Sequence, residues 1–198
     1  MYASIDIFKC WSGAPLGKRI DRLFRNALLV LLSACLTAHA NTLTLPKGAS
    51  VQTCFSYTRT CEAQIVQLIA HAKKRILLAS YSFTSNEIAK ALKNARARGI
   101  KMQLVLDKSN LNGKYSRATY LANAGVDIRI NSRYAIMHHK FIIVDQAVGF
   151  GSMNFTRAGD RKNAENFNIF HHAPNLVRVY EQEFVRLYDE SKPYAPSL

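Results

Sequence analysis

The sequence predicts an α/β fold, a mixed, largely parallel β-sheet flanked by helices on both faces. Compact apolar runs, Arg75–Tyr81 and Met102–Leu106, read as buried strands. Between and around them, apolar residues recur at helical spacing: Ile65, Leu68, Ile69 and Ala72, then Ile88, Ala89 and Leu92. The two patterns alternate as β-α-β-α-β-α-β from Val51 to Ile130, the order of crossover units with helices over a sheet.

The elements follow in order. Asn41–Ser50, with Pro46 and Gly48, is a polar link into a strand at Val51–Tyr57 that carries Cys54. A helix covers Glu62–Ala72, and Arg75–Tyr81 is the next strand. Thr84 or Ser85 caps a helix at Asn86–Arg98, which Gly99 ends. Strand Met102–Leu106 finishes at Asp107, helix Tyr115–Ala124 at Gly125, and Val126–Ile130 is a strand. Ile136–Val144 and Val148–Gly151 are strands about a tight turn, and Asn166–Phe170 is another. Pro174 opens an amphipathic helix with Leu176, Val177, Val179, Phe184, Val185 and Leu187 as apolar positions.

The first 40 residues read as a signal peptide. Lys18, Arg19, Arg22 and Arg25 precede the apolar run Ala27–Leu36, and Ala38-His39-Ala40 places cleavage before Asn41. Leu32-Ser33-Ala34-Cys35 also matches a lipoprotein box, which would anchor the chain through Cys35. Export to a bacterial periplasm or beyond is expected, with no stable membrane insertion of residues 41–198, which form one domain. Of four cysteines, Cys54 and Cys61 remain after the leader. In an exported chain this spacing suggests a disulfide; a zinc site would want four ligands, and no CxxC supports a redox pair.

The chain carries 27 Lys and Arg against 13 Asp and Glu, and the leader holds only five of the basic and two of the acidic residues. So basic a domain favours polyanions, nucleic acid or an anionic membrane surface. A composition 48% hydrophobic excludes a disordered chain.

One stretch carries chemistry. In Met137-His138-His139-Lys140, strand alternation sets His138 and Lys140 on one side and His139 on the other. An imidazole can attack phosphorus or move protons near neutral pH, and a fixed ammonium stabilises charge on the phosphoryl oxygens. Ser152 and Asn154, again two apart, can offer a hydroxyl and an amide to phosphate or to the histidine. Glu165 can hold one ring nitrogen of His138 and leave the other free. Asp145, at the strand end, is a catalytic candidate or a support for the fold or for Lys140. His139 reads as a rim residue, His71 as a helix-end residue, and His171 and His172 as surface residues without metal-pair spacing.

These residues resemble the phospholipase D superfamily. Its signature HxKxxxxD is met by His138, Lys140 and Asp145, and its G-S-x-N element by Gly151, Ser152 and Asn154, with Glu165 as the downstream acid. Ala79–Ser85 and Asn154-Phe155-Thr156 look like the small exported bacterial endonucleases of that superfamily. The resemblance implies a nuclease that acts on DNA, or on RNA, with little sequence preference, through a phosphohistidine and without metal or other cofactor. A single motif per chain implies a homodimer with one shared site. Arg133, Arg157, Lys108, Lys114, Arg117, Arg129, Arg161 and Lys162 flank the motif; Arg133 and Arg157, with Lys140 and Asn154, are the expected substrate contacts. The alternatives are a phospholipase D or cardiolipin-type lipid hydrolase and a nucleic-acid-binding protein with a silent site.

Overall fold

A computed structural model describes residues 42–196 except 112 and 114. The leader with its cleavage position and Cys35, and also Lys114, therefore lie outside the described residues. Eight strands form one sheet: β1 (Ser50–Phe55), β2 (Arg75–Ser80), β3 (Lys101–Asp107), β4 (Asp127–Asn131), β5 (Lys140–Val144), β6 (Ala147–Gly151), β7 (Asn166–His171) and β8 (Lys192–Pro193), in the order β1-β7-β6-β5-β2-β3-β4-β8.

The sheet is mixed, and less of it is parallel than the alternation of elements implies. Two pairs, β2·β3 and β3·β4, are parallel; the other five are antiparallel. The parallel part is the stretch where helices α2 (Asn86–Ala97) and α3 (Ala118–Ala122) supply crossovers. β1 does not join β2. It pairs with β7 at the edge, where five of its six residues are exposed.

Both faces are covered. Ile76 and Leu78 of β2 face α1 (Cys61–Ala70), α2 and α3, with Ile65, Ile69, Ile88 and Leu92 in that core. Leu77 and Ala79 face α5 (Pro174–Asp189) through Val177, Phe184 and Leu187. The alternation of side chains along one strand thus feeds two cores. Ser85 caps α2 by accepting the Ile88 N–H at 3.1 Å, and Thr156 caps the short α4 (Arg157–Arg161) by accepting the Gly159 N–H at 2.9 Å.

The expected catalytic position of Asp145 requires correction. It lies in the β5–β6 turn with φ 53°, the far end of β5 from Lys140, roughly 16 Å along the strand. Its carboxylate accepts the backbone N–H groups of Lys73, Lys74 and Arg75 at 2.7, 2.9 and 3.0 Å. Burial pushes this carboxyl up, but the three N–H bonds and the Lys74 charge hold it below its ordinary range. Asp145→Ala should therefore cost about 2 kcal/mol in urea unfolding, because it leaves three amides without their acceptor, while kcat/KM is retained. The wild-type carboxylate should stabilise the fold above the ordinary carboxyl range, and that contribution should fade as pH falls through its depressed pKa.

Candidate active site

The site forms at the end of the sheet where β2, β3 and β6 finish and β5 and β7 begin. The β2·β5 register sets Ser80 opposite Lys140. Strand pairing starts at Lys140 rather than at Ile136, because β2 has ended and gives the earlier residues no partner row. What fixes that lead-in is Asp107, at the end of β3 and 1% exposed. Its carboxylate accepts the N–H groups of Met137 and Ser109, each at 2.8 Å. Met137 is itself buried, so the residue before His138 is held by a hydrogen bond and by packing.

Alternation then divides the next three residues. The His138 ring packs 4.7 Å from the Tyr81 ring at 55°, and the Lys140 ammonium lies 5.3 Å over the same ring. Lys140 Nζ also donates to the His138 carbonyl at 2.6 Å. His139 points elsewhere: its Nε2 meets Glu183 Oε1 at 3.1 Å and its edge meets Phe141. It plays no part in the His138–Lys140 face.

The electrostatics suit phosphoryl chemistry. Burial pushes the Lys140 ammonium down to about 8, against the opposing pull of the Glu165 charge. Desolvation, with Lys140 and His139 nearby, lowers His138 below its ordinary value, while Asp107 works the other way. His138 is thus a neutral, exposed imidazole at neutral pH beside a buried cation. Neither ring nitrogen has a hydrogen-bond partner among the described residues. The bond foreseen from Glu165 to His138 is not made within the chain: Glu165 Oε1 accepts from Asn163 Nδ2 at 3.1 Å, and its charge acts on Lys140.

The second element reaches the same place through β6. Phe141 opposes Phe150, which brings Gly151 to the Lys140 end. Here β6 and β7 come so close that a Cβ on Gly151 would lie 2.2 Å from the Asn166 carbonyl oxygen. Only glycine fits. Ser152 Oγ accepts the Asn166 N–H at 3.1 Å, which leaves its own proton to donate. Asn154 Oδ1 is buried with no hydrogen-bond partner among the described residues.

Glu165 is held from a distance the motif does not reveal. Ser56, 3% exposed, donates its N–H to the Glu165 carbonyl at 3.0 Å, accepts the Glu165 N–H on Oγ at 2.9 Å and donates that hydroxyl to the Asn163 carbonyl at 2.5 Å. The Cys54–Cys61 disulfide is formed and brackets Ser56, with 5.4 Å between the two Cα atoms. Of the flanking cations, Arg129 stacks on Tyr188 at 3.8 Å, and Arg133 turns to Glu190 at 3.6 Å. Arg157 lines a cleft of about 930 Å³ with Arg117, Arg161 and Lys162, and with Glu62 and Glu87 as its two acidic residues.

A neutral histidine and a buried lysine converging on one ring, at the mouth of a mixed sheet covered on both faces, define a phosphodiesterase of the phospholipase D type. Residues 65–188 match the family described as cardiolipin synthase, PLD-like domain, and the chain belongs to that superfamily. It is 40% identical to a phospholipase D of Rickettsia conorii over 70% of this chain and 69% of that protein. It is 30% identical to the mitochondrial cardiolipin hydrolase of Xenopus tropicalis over 69% of this chain and 65% of that one. Among solved structures, the phospholipase D family member Nuc from Salmonella typhimurium superposes with a TM-score of 0.72 at 34% identity, over 75% of this chain and 99% of Nuc. With other Rickettsia relatives the match spans as little as 58% of their length.

The pH dependence should carry both groups. kcat/KM on bis(p-nitrophenyl) phosphate should fall on the acid side only below the ordinary histidine range, as His138 takes a proton, and on the alkaline side near pH 8, as Lys140 loses its charge. Lys140→Arg should remove the step near pH 8, and a step that stays there would reject this assignment. Replacing both cysteines by serine should cost about 2 kcal/mol of unfolding free energy and lower activity more than Asp145→Ala does, because it frees the segment that holds Glu165.

Proposed function

We propose that the protein is a metal-independent endonuclease that cleaves DNA, with RNA as the alternative substrate, without marked sequence preference, as a homodimer. Each copy supplies one His138 and one Lys140. One His138, neutral, attacks phosphorus; the P–N bond forms as the P–O bond to the leaving sugar oxygen breaks, and His138 of the second copy, which takes up a proton when the phosphodiester anion binds beside it, gives that proton to the leaving oxygen and becomes neutral. The second imidazole then takes a proton from water, whose oxygen displaces the phosphohistidine and restores both histidines. The two Lys140 ammonium groups and the Asn154 amides stabilise the phosphoryl oxygens.

The observation that carries the choice of substrate is the cationic cleft at the catalytic end of the sheet. Arg117, Arg157, Arg161 and Lys162 line it and outnumber its two carboxylates, Glu62 and Glu87, in a chain with formal charge +14, a balance that suits a phosphate backbone. The likeness to Nuc, a phospholipase D family member, supports the phosphodiesterase chemistry. A single motif whose histidine lacks a hydrogen-bonded acid partner among the described residues supports two copies per site. A second reading, hydrolysis of a phospholipid diester, draws on the names of the Rickettsia and Xenopus relatives. No helix among the described residues is long and apolar enough to cross a membrane. The leader read at residues 1–40 adds the proposal that the enzyme works after export.

Purified protein with plasmid DNA in excess EDTA tests these points together. Cleavage should persist, and His138→Ala should lower kcat by at least about 10³-fold. Abolition by EDTA would remove the metal-free mechanism, full activity of a monomer at high dilution would remove the shared site, and faster turnover of cardiolipin vesicles than of DNA would favour the lipid reading.

A further inference from the structure

A second groove adjoins the site, and its chemistry differs from that of the cationic cleft. It holds about 550 Å³ between the Phe55–Arg59 loop and the 161–166 segment. Tyr57 is 83% exposed and Phe55 50%. Their rings lie 6.3 Å apart and within 20° of parallel. Arg59, Arg161 and Lys162 surround them, and the groove ends at Glu165 and Asn166, the latter bonded to Ser152.

Two large aromatic rings in water are unfavourable unless something covers them. The loop that carries them is tied down. The Cys54–Cys61 disulfide closes the loop. Ser56 anchors its middle to the Asn163–Glu165 segment with three hydrogen bonds. Thr58 Oγ1 donates to the Phe55 carbonyl at 2.7 Å, and Arg59, at φ 55°, returns its N–H to Ser56. A platform ordered in advance loses little entropy when a ligand lands on it.

We propose that this groove is a stacking subsite for an unpaired base beside the scissile phosphodiester, so that the enzyme prefers single-stranded nucleic acid or unpaired regions of it. The inference rests on the nuclease reading. An aromatic face framed by cations fits a nucleobase with its phosphates, and such stacking is indifferent to sequence. A duplex keeps its base faces covered and offers only edges and backbone. A bilayer is the poorer partner: no large aliphatic side chain lines the groove, and Arg59, Arg161, Lys162, Asn163 and Glu165 interleave with the rings.

The test compares Tyr57→Ala, Phe55→Ala and Tyr57→Trp on four substrates: a short unstructured oligodeoxynucleotide, its duplex, an abasic chain of equal length, and bis(p-nitrophenyl) phosphate. Tyr57→Ala should raise KM for the single strand roughly tenfold, with little change for the abasic chain and none for the small diester. Tyr57→Trp should restore the single-strand value. Equal loss on the abasic chain, no loss on the single strand, dissociation of the dimer, or a loss confined to binding of cardiolipin vesicles would each overturn the subsite. Binding of the same oligonucleotide to His138→Ala protein, followed by anisotropy, reads the groove without catalysis. A wild-type protein that cuts no nucleic acid would refute the nuclease reading, whereas tight stacking-dependent binding by His138→Ala would still support the groove.

Discussion

A lysine ammonium taken out of water is costly unless charge and hydrogen bonds are returned to it, and the site is organised around that requirement at Lys140. The His138 carbonyl, the Tyr81 ring and the Glu165 charge each return a part. Each comes from a different element, so the ammonium is held only when β2, β5 and β7 are in register. Lowered toward neutrality, it is a cation whose charge a bound phosphodiester would reinforce, and after desolvation it is the next contributor to the lowered pKa of its neighbour His138. One buried charge thus marks the place where anionic oxygen is welcome and adds to the bias of the nucleophile toward its neutral form.

Much of this was legible in the sequence, for reasons that can be named. The period of two along a strand separates His138 and Lys140 from His139 whatever the sheet topology, and the contacts to Tyr81 on one side and Glu183 on the other agree with it. The helices α1, α2 and α5 follow from apolar spacing and their ends from Ser85, Gly99 and Pro174. Pairing partners were less legible. The β-α-β alternation implies parallel neighbours, but β1 is exposed on nearly every residue and pairs antiparallel with β7 at the edge.

The site residues divide the same way. Asp145 has fixed spacing from Lys140, yet spacing along a strand measures distance without showing what lies at the far end, and there the carboxylate meets three backbone amides. Asp107 and Ser56 were missed as site residues because their action is long-range. Asp107 fixes Met137 across 30 positions, and Ser56 holds Glu165 across 109. The only local signal for Ser56 was its place between Cys54 and Cys61, which marks a constrained loop without saying what it constrains.

That constraint links stability to chemistry in a way a motif cannot. The disulfide loop orders two things at once, the backbone of Glu165 inside and the rings of Phe55 and Tyr57 outside. Ser56 is buried between two residues whose rings are exposed, at the turn of 3-10 helix that follows β1. A catalytic end and a recognition surface can therefore be held by one short covalent ring at the edge of the sheet. β1 and β7 meet there. The site's remaining unmet demand is polar: the Asn154 oxygen is buried without a donor among the described residues, and an unsatisfied buried acceptor costs about 1–3 kcal/mol. In the proposed dimer, a lysine or a protonated histidine of the second copy would be such a donor, so assembly of the site would relieve a cost that the single chain carries.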